Sequence, residues 1–286
     1  MLAMPHTAPA SAETAGAWRL AALEAELRGR RPDLRVELAG TCDSTSTRLL
    51  ERARDGDTRP VLLAAVRQSA GRGRMGRSWV SSSALCFSLG LALAPKSWSG
   101  LSLAVGVALA EALDPADARG EPRLRLKWPN DLWLGSEGRK LGGVLIETIA
   151  APGVVPPARQ AVIGIGLNLD APEQLDAPAA GWREAEPGAD APSMLARVAP
   201  ALLLALDVFE REGFAAFAGR YARRDALAGR RIAAGTLPPC SGAADGVDDD
   251  GALRIVTPEG ALRRIDSGEV SVRMSAASSS SGSSPC

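Results

Sequence analysis

This sequence of 286 residues contains only one histidine, and its four cysteines are far apart along the chain. The cysteines are Cys42, Cys86, Cys240 and Cys286, and the histidine is His6. A structural zinc site needs several cysteine or histidine ligands at short, characteristic spacings, and no such set can be assembled from these residues. We therefore predict no metal-binding residues of this kind, and we expect free thiols in a reducing compartment.

Long apolar runs and an excess of charge are also missing. The most apolar stretches, Leu101–Ala110 and Ala201–Leu206, are well short of the roughly 20 residues that a membrane span requires. The N-terminus does not show the basic and then apolar pattern of a signal peptide. Basic and acidic residues number 33 each, so the formal net charge is zero. These features predict a cytoplasmic protein that associates with neither membrane nor DNA.

Carboxylates are missing from one long segment, between Asp57 and Glu111, which contains four arginines within Arg67–Arg77. We call Gln68–Trp79, at the centre of this segment, the arginine loop. Its glycines allow tight turns and a close approach of the backbone to a ligand. Its guanidinium groups can bind carboxylate or phosphate oxygens with two parallel hydrogen bonds. The segment therefore predicts a binding site for a small anion.

The arginine loop also matches the spacing of a dinucleotide-binding fingerprint, because Gly71, Gly73 and Gly76 read Gly-x-Gly-x-x-Gly. That fingerprint opens a helix and is followed about 20 residues later by an acidic residue. Here the following Ser78–Leu93 has the composition of a strand, and no acidic residue stands at that distance. We favour an anion-wrapping loop over a Rossmann-type site, and a solvated basic turn is the third interpretation.

Lysine is rare as well, since three of the 33 basic residues are lysines. Two of them stand in polar motifs, Lys127–Asp131 and Gly138–Gly143, and the second motif contains Lys140. Lys140 could supply a positive point charge, and the two glycines that end its motif leave space for a ligand beside the backbone. The Gly138–Gly143 motif alone is also compatible with a solvent-exposed basic turn. The Lys127–Asp131 motif alone is weak evidence for a site, and we expect Trp128 to pack in the core.

The segment Ile163–Leu169 predicts a strand with one bare face. Isoleucine and leucine occupy every second position, and Gly164, Gly166 and Asn168 occupy the positions between them. A strand face without side chains that ends in an amide suits the floor of a ligand pocket. The alternative is a bulged or tightly packed strand with a structural role.

Hydrophobic periodicity and turn residues predict a mixture of helices and strands. The predicted helices are Trp18–Arg28, a helix starting at Asp43–Thr47, Ser102–Leu113, and Pro192 to Arg224 with interruptions near Pro200 and Gly213. The predicted strands are Val61–Val66, Val80–Leu93, Arg123–Trp128, Leu132–Leu134, Gly142–Ile149 and Ala161–Leu169. After Asp225, short apolar segments between tight turns predict a small all-β domain of about five strands. We expect Met1–Ala15 and Ser275–Cys286 to be disordered.

Taken together and in this order, the motifs resemble those of the biotin protein ligases, also named biotin–acetyl-CoA-carboxylase ligases. The matching segments are Asp43–Thr45, Gln68–Trp79, Lys127–Leu132, Arg139–Gly143, Gly164–Asn168 and, near the C-terminus, Gly268–Arg273. The resemblance implies an α+β fold, in which a mixed β-sheet with packed helices, like that of class II synthetases, precedes a small SH3-like β-barrel. It also implies a variable, partly disordered segment 1–39, a catalytic domain 40–224, a C-terminal domain 225–274 and a disordered tail 275–286.

The resemblance further implies an ATP-dependent ligase that uses biotin, ATP and Mg²⁺. Biotin and ATP would form biotinyl-5′-adenylate and pyrophosphate, and a lysine of a biotin carboxyl carrier protein would then attack the adenylate. The implied catalytic residues are Arg72, Lys140 and Asp131. The implied binding residues are Ser44, Thr45, Ser46, Gln68, Gly71, Arg72, Gly73, Arg74, Trp79, Lys127, Asn130, Lys140, Gly143, Gly164, Gly166 and Asn168.

The same resemblance implies roles for some of these residues. The biotin rings would be bound by Ser44, Thr45 and Gln68, with the Gly71–Arg74 part of the arginine loop closing over them. Lys140 would contact the biotin carboxylate and the phosphate. Trp79 and Asn168 would lie on the adenylate side, and Asp131 would support magnesium or charge placement.

Two other functions stay open at this point. A lipoate or octanoyl ligase or transferase belongs to the same superfamily, although the arginine loop and the predicted C-terminal barrel favour biotin. A non-catalytic biotin-binding or DNA-binding regulator is the other, and the short segment before Asp43 does not provide the helix-turn-helix domain of regulatory relatives. Asp245 stands where relatives can have arginine, which weakens any role of that position in ATP or carrier binding. The sequence is also compatible with a homodimer.

Overall fold

The computed structural model describes residues 8–79, 83–115, 120–173, 178–235, 240–266 and 272–274. His6, Cys286 and the tail 275–286 lie outside these ranges, as does most of the predicted C-terminal motif Gly268–Arg273. The described residues form a large mixed sheet with helices on both faces and, after residue 230, a small antiparallel sheet. This arrangement confirms the α+β prediction of a mixed sheet with packed helices, followed by a domain of antiparallel strands.

The large sheet has eight strands in the order β1-β2-β3-β6-β10-β9-β8-β7. Strands β2 and β3 are parallel, and the other neighbours in the sheet are antiparallel. Strands β4 and β5 form a separate two-stranded sheet. The strands are β1 (Ala8–Pro9), β2 (Arg35–Cys42), β3 (Val61–Gln68), β4 (Gly71–Arg72), β5 (Ser78–Trp79), β6 (Ala84–Leu93), β7 (Leu124–Lys127), β8 (Asp131–Leu134), β9 (Arg139–Ile149) and β10 (Arg159–Asn168).

Within the described ranges, six α-helices accompany the sheet, and they are α1 (Ala12–Ala17), α2 (Leu20–Arg28), α3 (Thr45–Arg54), α4 (Leu101–Leu113), α5 (Ala191–Glu212) and α6 (Ala215–Ala222). Helix α3 begins where the sequence predicts, because the Ser44 side chain accepts a hydrogen bond from the Thr47 amide at 3.4 Å. Helix α4 is apolar all round and buried, as expected for a helix in the core.

The two faces of the large sheet have different partners. Helices α4 and α5 pack against the face that carries Ile163, Ile165 and Leu167, and together they form the main core. Helix α3 packs on the opposite face, where a smaller apolar cluster joins Leu49 to Val162. Because side chains alternate along a strand, the glycines of β10 fall on the α3 face. The strand pattern therefore decides which side of the sheet is left bare along β10.

The predicted interruption of α5 at Pro200 is wrong, since the helix runs without a break from Ala191 to Glu212. Proline removes one backbone hydrogen bond, but Val198, Leu202 and Leu203 on either side of it are buried in the core. The interruption at Gly213 is confirmed, because this residue has φ +70° and ends the helix. Helix α5 is long and apolar enough to cross a membrane, although half of the relevant window is buried within the protein, as in a core helix.

The small sheet has five antiparallel strands in the order β14-β13-β12-β11-β15, which confirms the predicted strand number. Its strands are β11 (Arg231–Ala234), β12 (Cys240–Val247), β13 (Leu253–Val256), β14 (Leu262–Ile265) and β15 (Val272–Met274). Closure of this sheet into an SH3-like barrel stays a prediction, as do the domain boundaries. Strand β2 crosses the proposed boundary at residue 40, so the large sheet begins before it.

The chain that leads into the small sheet is attached to the edge strand β7. The Leu126 amide donates to the Arg224 carbonyl at 2.7 Å, and the Ala226 amide donates to the Leu126 carbonyl at 2.9 Å. Two residues further along, Trp128 is fully buried, and its Nε1 donates to the Gly251 carbonyl at 2.9 Å. The C-terminal sheet is thus joined directly to the strand that carries Lys127.

Candidate ligand-binding site

The predicted bare face of β10 is the floor of a site on the α3 side of the sheet. Gly164 pairs with Leu145 of β9, and Gly166 pairs with Gly143. A Cβ atom built on Gly166 would lie 2.5 Å from Cε2 of Trp79, so the indole ring occupies the space beside this glycine. We call Gly164, Gly166 and Gly143 the glycine floor. The absence of side chains at these positions lets other groups approach the backbone closely.

One end of the glycine floor carries a buried network of hydroxyl and amide groups. The Thr45 amide donates to Gln68 Oε1 at 2.7 Å, and Thr45 Oγ1 donates to the same oxygen at 3.1 Å. Thr45 Oγ1 also lies 2.7 Å from Ser88 Oγ, which in turn lies 3.0 Å from Ser46 Oγ. Such a network offers both donors and acceptors to a polar ring and is shielded from water.

Ser88 is a member of this network that sequence reasoning missed. It is fully buried in β6, where it pairs with Gly164 of the floor. The available signal was the alternation Cys86, Ser88, Gly90, which places small residues on one face of an otherwise apolar strand. A buried hydroxyl requires partners, and Thr45 and Ser46 supply them.

The other end of the floor carries a cluster of cations around one carboxylate. Lys140 Nζ donates to Asp131 Oδ1 at 2.6 Å, and Lys127 Nζ lies 3.9 Å from Asp131 Oδ2. The hairpin β7–β8 and the pairing of Asp131 with Gly143 bring these groups to the edge of the floor. A Cβ atom on Gly143 would lie 3.7 Å from Lys140 Nζ, so the lysine reaches over this glycine. The sequence prediction that these residues share a site is consistent with this geometry.

The cations of this cluster are partly removed from water. Burial lowers the pKa of Lys127, and the nearby positive charges of Lys140 and Arg77 lower it further, whereas Asp131 opposes the shift. Burial likewise lowers the pKa of the Arg74 guanidinium, with Asp131 again acting in the opposite direction. Crowded, desolvated cations favour the binding of an anion that restores their solvation and neutralises their charge.

The arginine loop is a short hairpin beside the floor and not the start of a helix. Gly71 pairs with Trp79, and Arg72 pairs with Ser78, as strands β4 and β5. The Ala70 amide donates to the Asp43 carbonyl at 2.9 Å, which ties the base of the loop to the start of α3. The chain that follows forms strand β6, so the interpretation as a dinucleotide-binding fingerprint does not hold.

The two central arginines of the loop bind different partners across the sheet. Arg74 Nη1 donates to Asn130 Oδ1 at 3.2 Å, which places this guanidinium beside the Lys127–Asp131 motif. Arg72 donates to both carboxylate oxygens of Glu147, at 3.0 and 2.9 Å. Sequence reasoning did not identify Glu147, because a carboxylate 75 residues from its arginine carries no local signal.

Trp79 and Asn168 have distinct surroundings. Trp79 Nε1 is shielded from solvent, and among the described residues it has no acceptor, so a ligand could provide one. Asn168 is buried and its Nδ2 donates to the Ala180 carbonyl at 3.1 Å. The segment containing Ala180 is also joined to Lys140, whose carbonyl accepts from the Ala180 amide at 2.9 Å. Asn168 thus braces the backbone next to Lys140, and its predicted contact with a nucleotide stays a prediction.

The protein supplies few ligands for a metal ion at this site. Within the ranges that the structure describes, no group of three or more His, Cys, Asp or Glu side chains could hold a metal. Asp131 is the carboxylate beside the lysines, and Lys140 already occupies one of its oxygens. Magnesium in nucleotide sites is held by one or two carboxylates together with substrate phosphates. A site with a single carboxylate fits this arrangement, in which substrate phosphates supply the other ligands. It does not fit a metal site made of protein ligands alone.

Two parts of the chain match known protein families, and the chain is similar to known ligases. Residues 39–168 match the Biotin/lipoate A/B protein ligase family, and residues 228–273 match the Biotin protein ligase C terminal domain. The Bifunctional ligase/repressor BirA of Escherichia coli is 34% identical over 249 residues, which cover 83% of this chain and 74% of that protein. The Biotin--[acetyl-CoA-carboxylase] ligase of Paracoccus denitrificans is 33% identical over 237 residues, covering 76% and 92% of the two chains.

A solved structure shares the fold as well. The biotin protein ligase from Aquifex aeolicus in complex with biotin and ATP superposes with a TM-score of 0.69 and 28% sequence identity. The match covers 84% of this chain and 99% of that chain.

Proposed function

The chain belongs to the biotin protein ligase family, and we propose that it activates biotin with ATP and transfers it to a lysine of a biotin carboxyl carrier protein. The observation that supports this function best is the arrangement along one face of the sheet. A buried network around Thr45 stands at one end of the glycine floor, and the cluster around Asp131 stands at the other. Biotin has the same order of groups, with a polar ureido ring at one end and a carboxylate at the other.

The ureido ring would be recognised by the network of Thr45, Gln68 and Ser88. A ureido group has two N–H donors and one carbonyl acceptor, and the network presents hydroxyls that can donate or accept. The apolar rings and chain of biotin would lie along the glycine floor beside Trp79, where the floor residues themselves carry no side chains. In this proposal Ser44 and Ser46 support the network, Ser44 as the cap of α3 and Ser46 through Ser88.

The first chemical step joins two anions, so repulsion between them is the obstacle that the site must reduce. A carboxylate oxygen of biotin attacks the α-phosphorus of ATP, the α–β bridging P–O bond breaks, and pyrophosphate leaves. Lys140, Lys127 and Arg74 would offset the negative charge that gathers on the phosphate oxygens. Asp131 would hold the two lysines in place, and Mg²⁺ bound chiefly to the ATP phosphates would neutralise further charge.

The second step consumes the mixed anhydride. The neutral amine of a carrier lysine attacks the acyl carbon, an amide bond forms, AMP leaves and the amine loses a proton. Coverage by the arginine loop would limit hydrolysis of the anhydride before the carrier arrives.

We also propose that the C-terminal strands close into an SH3-like barrel. We further propose that the protein works in the cytoplasm without DNA or membrane partners, and its formal net charge of zero supports the absence of a nucleic-acid-binding surface.

Biotin-dependent exchange of labelled pyrophosphate into ATP tests the proposed function. We expect exchange that requires both biotin and Mg²⁺, followed by AMP release when a carrier domain is added. Exchange with lipoate but not with biotin would instead assign the chain to the lipoate branch, which the same family description includes. Biotin binding without exchange would identify a non-catalytic regulator.

A further inference from the structure

A carboxylate of strand β9 binds the arginine loop. Glu147 accepts from Arg72 Nη1 at 3.0 Å through Oε2 and from Arg72 Nη2 at 2.9 Å through Oε1. This parallel, bidentate geometry is the strongest form of an arginine–carboxylate pair. Glu147 is partly exposed, with 29% of its side chain accessible, and Arg72 is 42% accessible. The pair lies at the surface of the site and not in the core.

Strand register places Glu147 on the same side of the sheet as the glycine floor. Glu147 pairs with Val162, in the strand where Gly164 and Gly166 are the next residues on that face. Arg72 belongs to β4, on the hairpin that carries Trp79 over Gly166. The ion pair therefore connects the hairpin to the sheet beside the space that biotin would occupy.

The hairpin is held by its base, by the packing of Trp79 on Gly166 and by polar contacts of its arginines. Strands β4 and β5 form a sheet of their own, with no backbone ladder to the eight-stranded sheet among the described residues. A two-stranded hairpin alone is marginally stable in water. Its position must therefore come from side-chain contacts and from its base. Arg74 contributes one such contact with Asn130 at 3.2 Å, and Arg72 contributes two hydrogen bonds to Glu147.

We propose that Glu147 is a positioning residue, and that the Glu147–Arg72 pair is a latch that holds the arginine loop over the glycine floor. The charge of Arg72 is then used to close the loop, while Arg74 and the lysines face the anions. The inference rests on the proposed function for the identity of the ligand, but loop closure itself can be measured without any ligand.

Limited trypsin digestion of the full-length protein measures the closure. Mass spectrometry measures the rates of cleavage at the Arg74–Met75 and Arg77–Ser78 bonds. In Glu147→Gln we expect both cleavages to be about fivefold faster than in wild type. The charge swap Arg72→Glu/Glu147→Arg keeps both scissile bonds and should bring cleavage to within about twofold of wild type. Raising the salt concentration to about 1 M should shrink the difference between wild type and Glu147→Gln, because salt screens an exposed pair.

The matched control is Glu37→Gln, which breaks a strand-to-arginine pair of similar exposure, Glu37 with Arg52 at 2.7 Å. Trypsin should cleave the arginine loop of this variant at the same rate as that of wild type.

In pyrophosphate exchange, Glu147→Gln should raise KM for biotin about fivefold with little change in kcat, because the latch acts on binding. Equal rates of loop cleavage in Glu147→Gln and Glu37→Gln would overturn the latch. So would a charge-swap variant whose loop is cleaved as fast as that of the single variant Glu147→Arg. A wild-type protein without exchange would refute the proposed function and leave the digestion result intact.

Discussion

At the scale of single residues, two lysines share one carboxylate. Asp131 accepts from Lys140 at 2.6 Å and lies 3.9 Å from Lys127, while Arg74 approaches through Asn130. Without Asp131, the cations at this edge of the floor would repel one another. With it, they form a preorganised group that needs little rearrangement when an anion arrives, which is the condition for electrostatic catalysis.

We predict that Lys140→Ala lowers the rate of biotinyl-adenylate formation by about 10²–10³, because it removes one preorganised charge from the reacting phosphate. The free energy of unfolding should change by no more than about 1 kcal/mol, since the side chain is partly exposed and its ion pair is near the surface. Pyrophosphate exchange at saturating substrates measures the first quantity, and urea titration measures the second.

Lys96→Ala is the control for this prediction. Lys96 is the third lysine of the chain and is exposed in the segment before α4. Its removal should leave the exchange rate unchanged. An exchange rate in Lys140→Ala close to that of wild type would remove Lys140 from the catalytic residues.

At the scale of elements, strand β10 and the β4–β5 hairpin form the two sides of one slot. The strand provides backbone without side chains, and the hairpin provides the indole ring of Trp79, which rests on Gly166. A ligand between them must lift the ring or slide beneath it. The fit of the slot therefore depends on the missing Cβ atoms of the floor.

We predict that Gly166→Ala weakens biotin binding by about tenfold or more. The new methyl group would lie 2.5 Å from Trp79 Cε2, and relieving such overpacking costs about 1–3 kcal/mol, here through displacement of the ring from the slot. Isothermal titration with biotin gives the affinity, and the difference between the tryptophan emission spectra of Gly166→Ala and wild type, which share all six tryptophans, reports the change around the ring.

Gly219→Ala provides the matched control within helix α6, where a Cβ atom would meet nothing within 4 Å. It should stabilise the protein by about 0.5–1 kcal/mol, because alanine is the better helix former, and leave biotin affinity unchanged. If Gly166→Ala bound biotin as wild type does, with unchanged emission, Trp79 would not border the biotin site.

At the scale of the whole molecule, a buried ion pair joins the catalytic sheet to the chain entering the C-terminal strands. Asp114, at the end of α4, accepts from Arg224 Nη1 at 3.0 Å and from the Leu124 amide at 2.9 Å. Burial alone would raise the pKa of Asp114, but the Leu124 amide and the Arg224 and Arg123 guanidinium groups outweigh it and hold the pKa below its ordinary value.

This depressed pKa fixes the sign of a pH dependence. A carboxyl group with a lower pKa in the folded state stabilises the protein above its unfolded pKa of about 3.9, and that stability is lost as the pH falls through the folded value. We predict that Asp114→Asn costs about 3 kcal/mol at neutral pH, because Arg224 is left buried without its counter-charge. The variant should also lose less stability than wild type below about pH 4.

Urea unfolding between neutral pH and the acid range measures both effects. Asp245→Asn is the control, since Asp245 pairs with Arg254 at 2.9 Å in an exposed setting and its loss should cost at most about 1 kcal/mol. Parallel pH profiles for wild type and Asp114→Asn would contradict the assignment of this acid sensitivity to Asp114.

Local patterns in the sequence determined most of the elements and the identity of the family. Alternation predicted that Leu124 and Leu126 of β7 and the adjoining Trp128 share one face, and all three are buried. It also predicted the glycine face of β10, because a strand repeats every two residues. The cap at Ser44 and the glycine at 213 marked helix ends through their own backbone chemistry. Pro200 misled the same reasoning, since burial of its neighbours outweighs the hydrogen bond that proline removes.

Only the tertiary structure decided which side chains meet. Ser88 joins Thr45 and Ser46 from another strand, Glu147 joins Arg72 across 75 residues, and Gly251 meets Trp128 across 123 residues. Such contacts depend on strand order and register, which are set by packing of the whole core and leave no mark in the local pattern. The sequence by itself therefore predicted an anionic ligand from its concentrated arginine and lysine, and only the fold decided that Arg72 pairs with Glu147 whereas Lys140 pairs with Asp131.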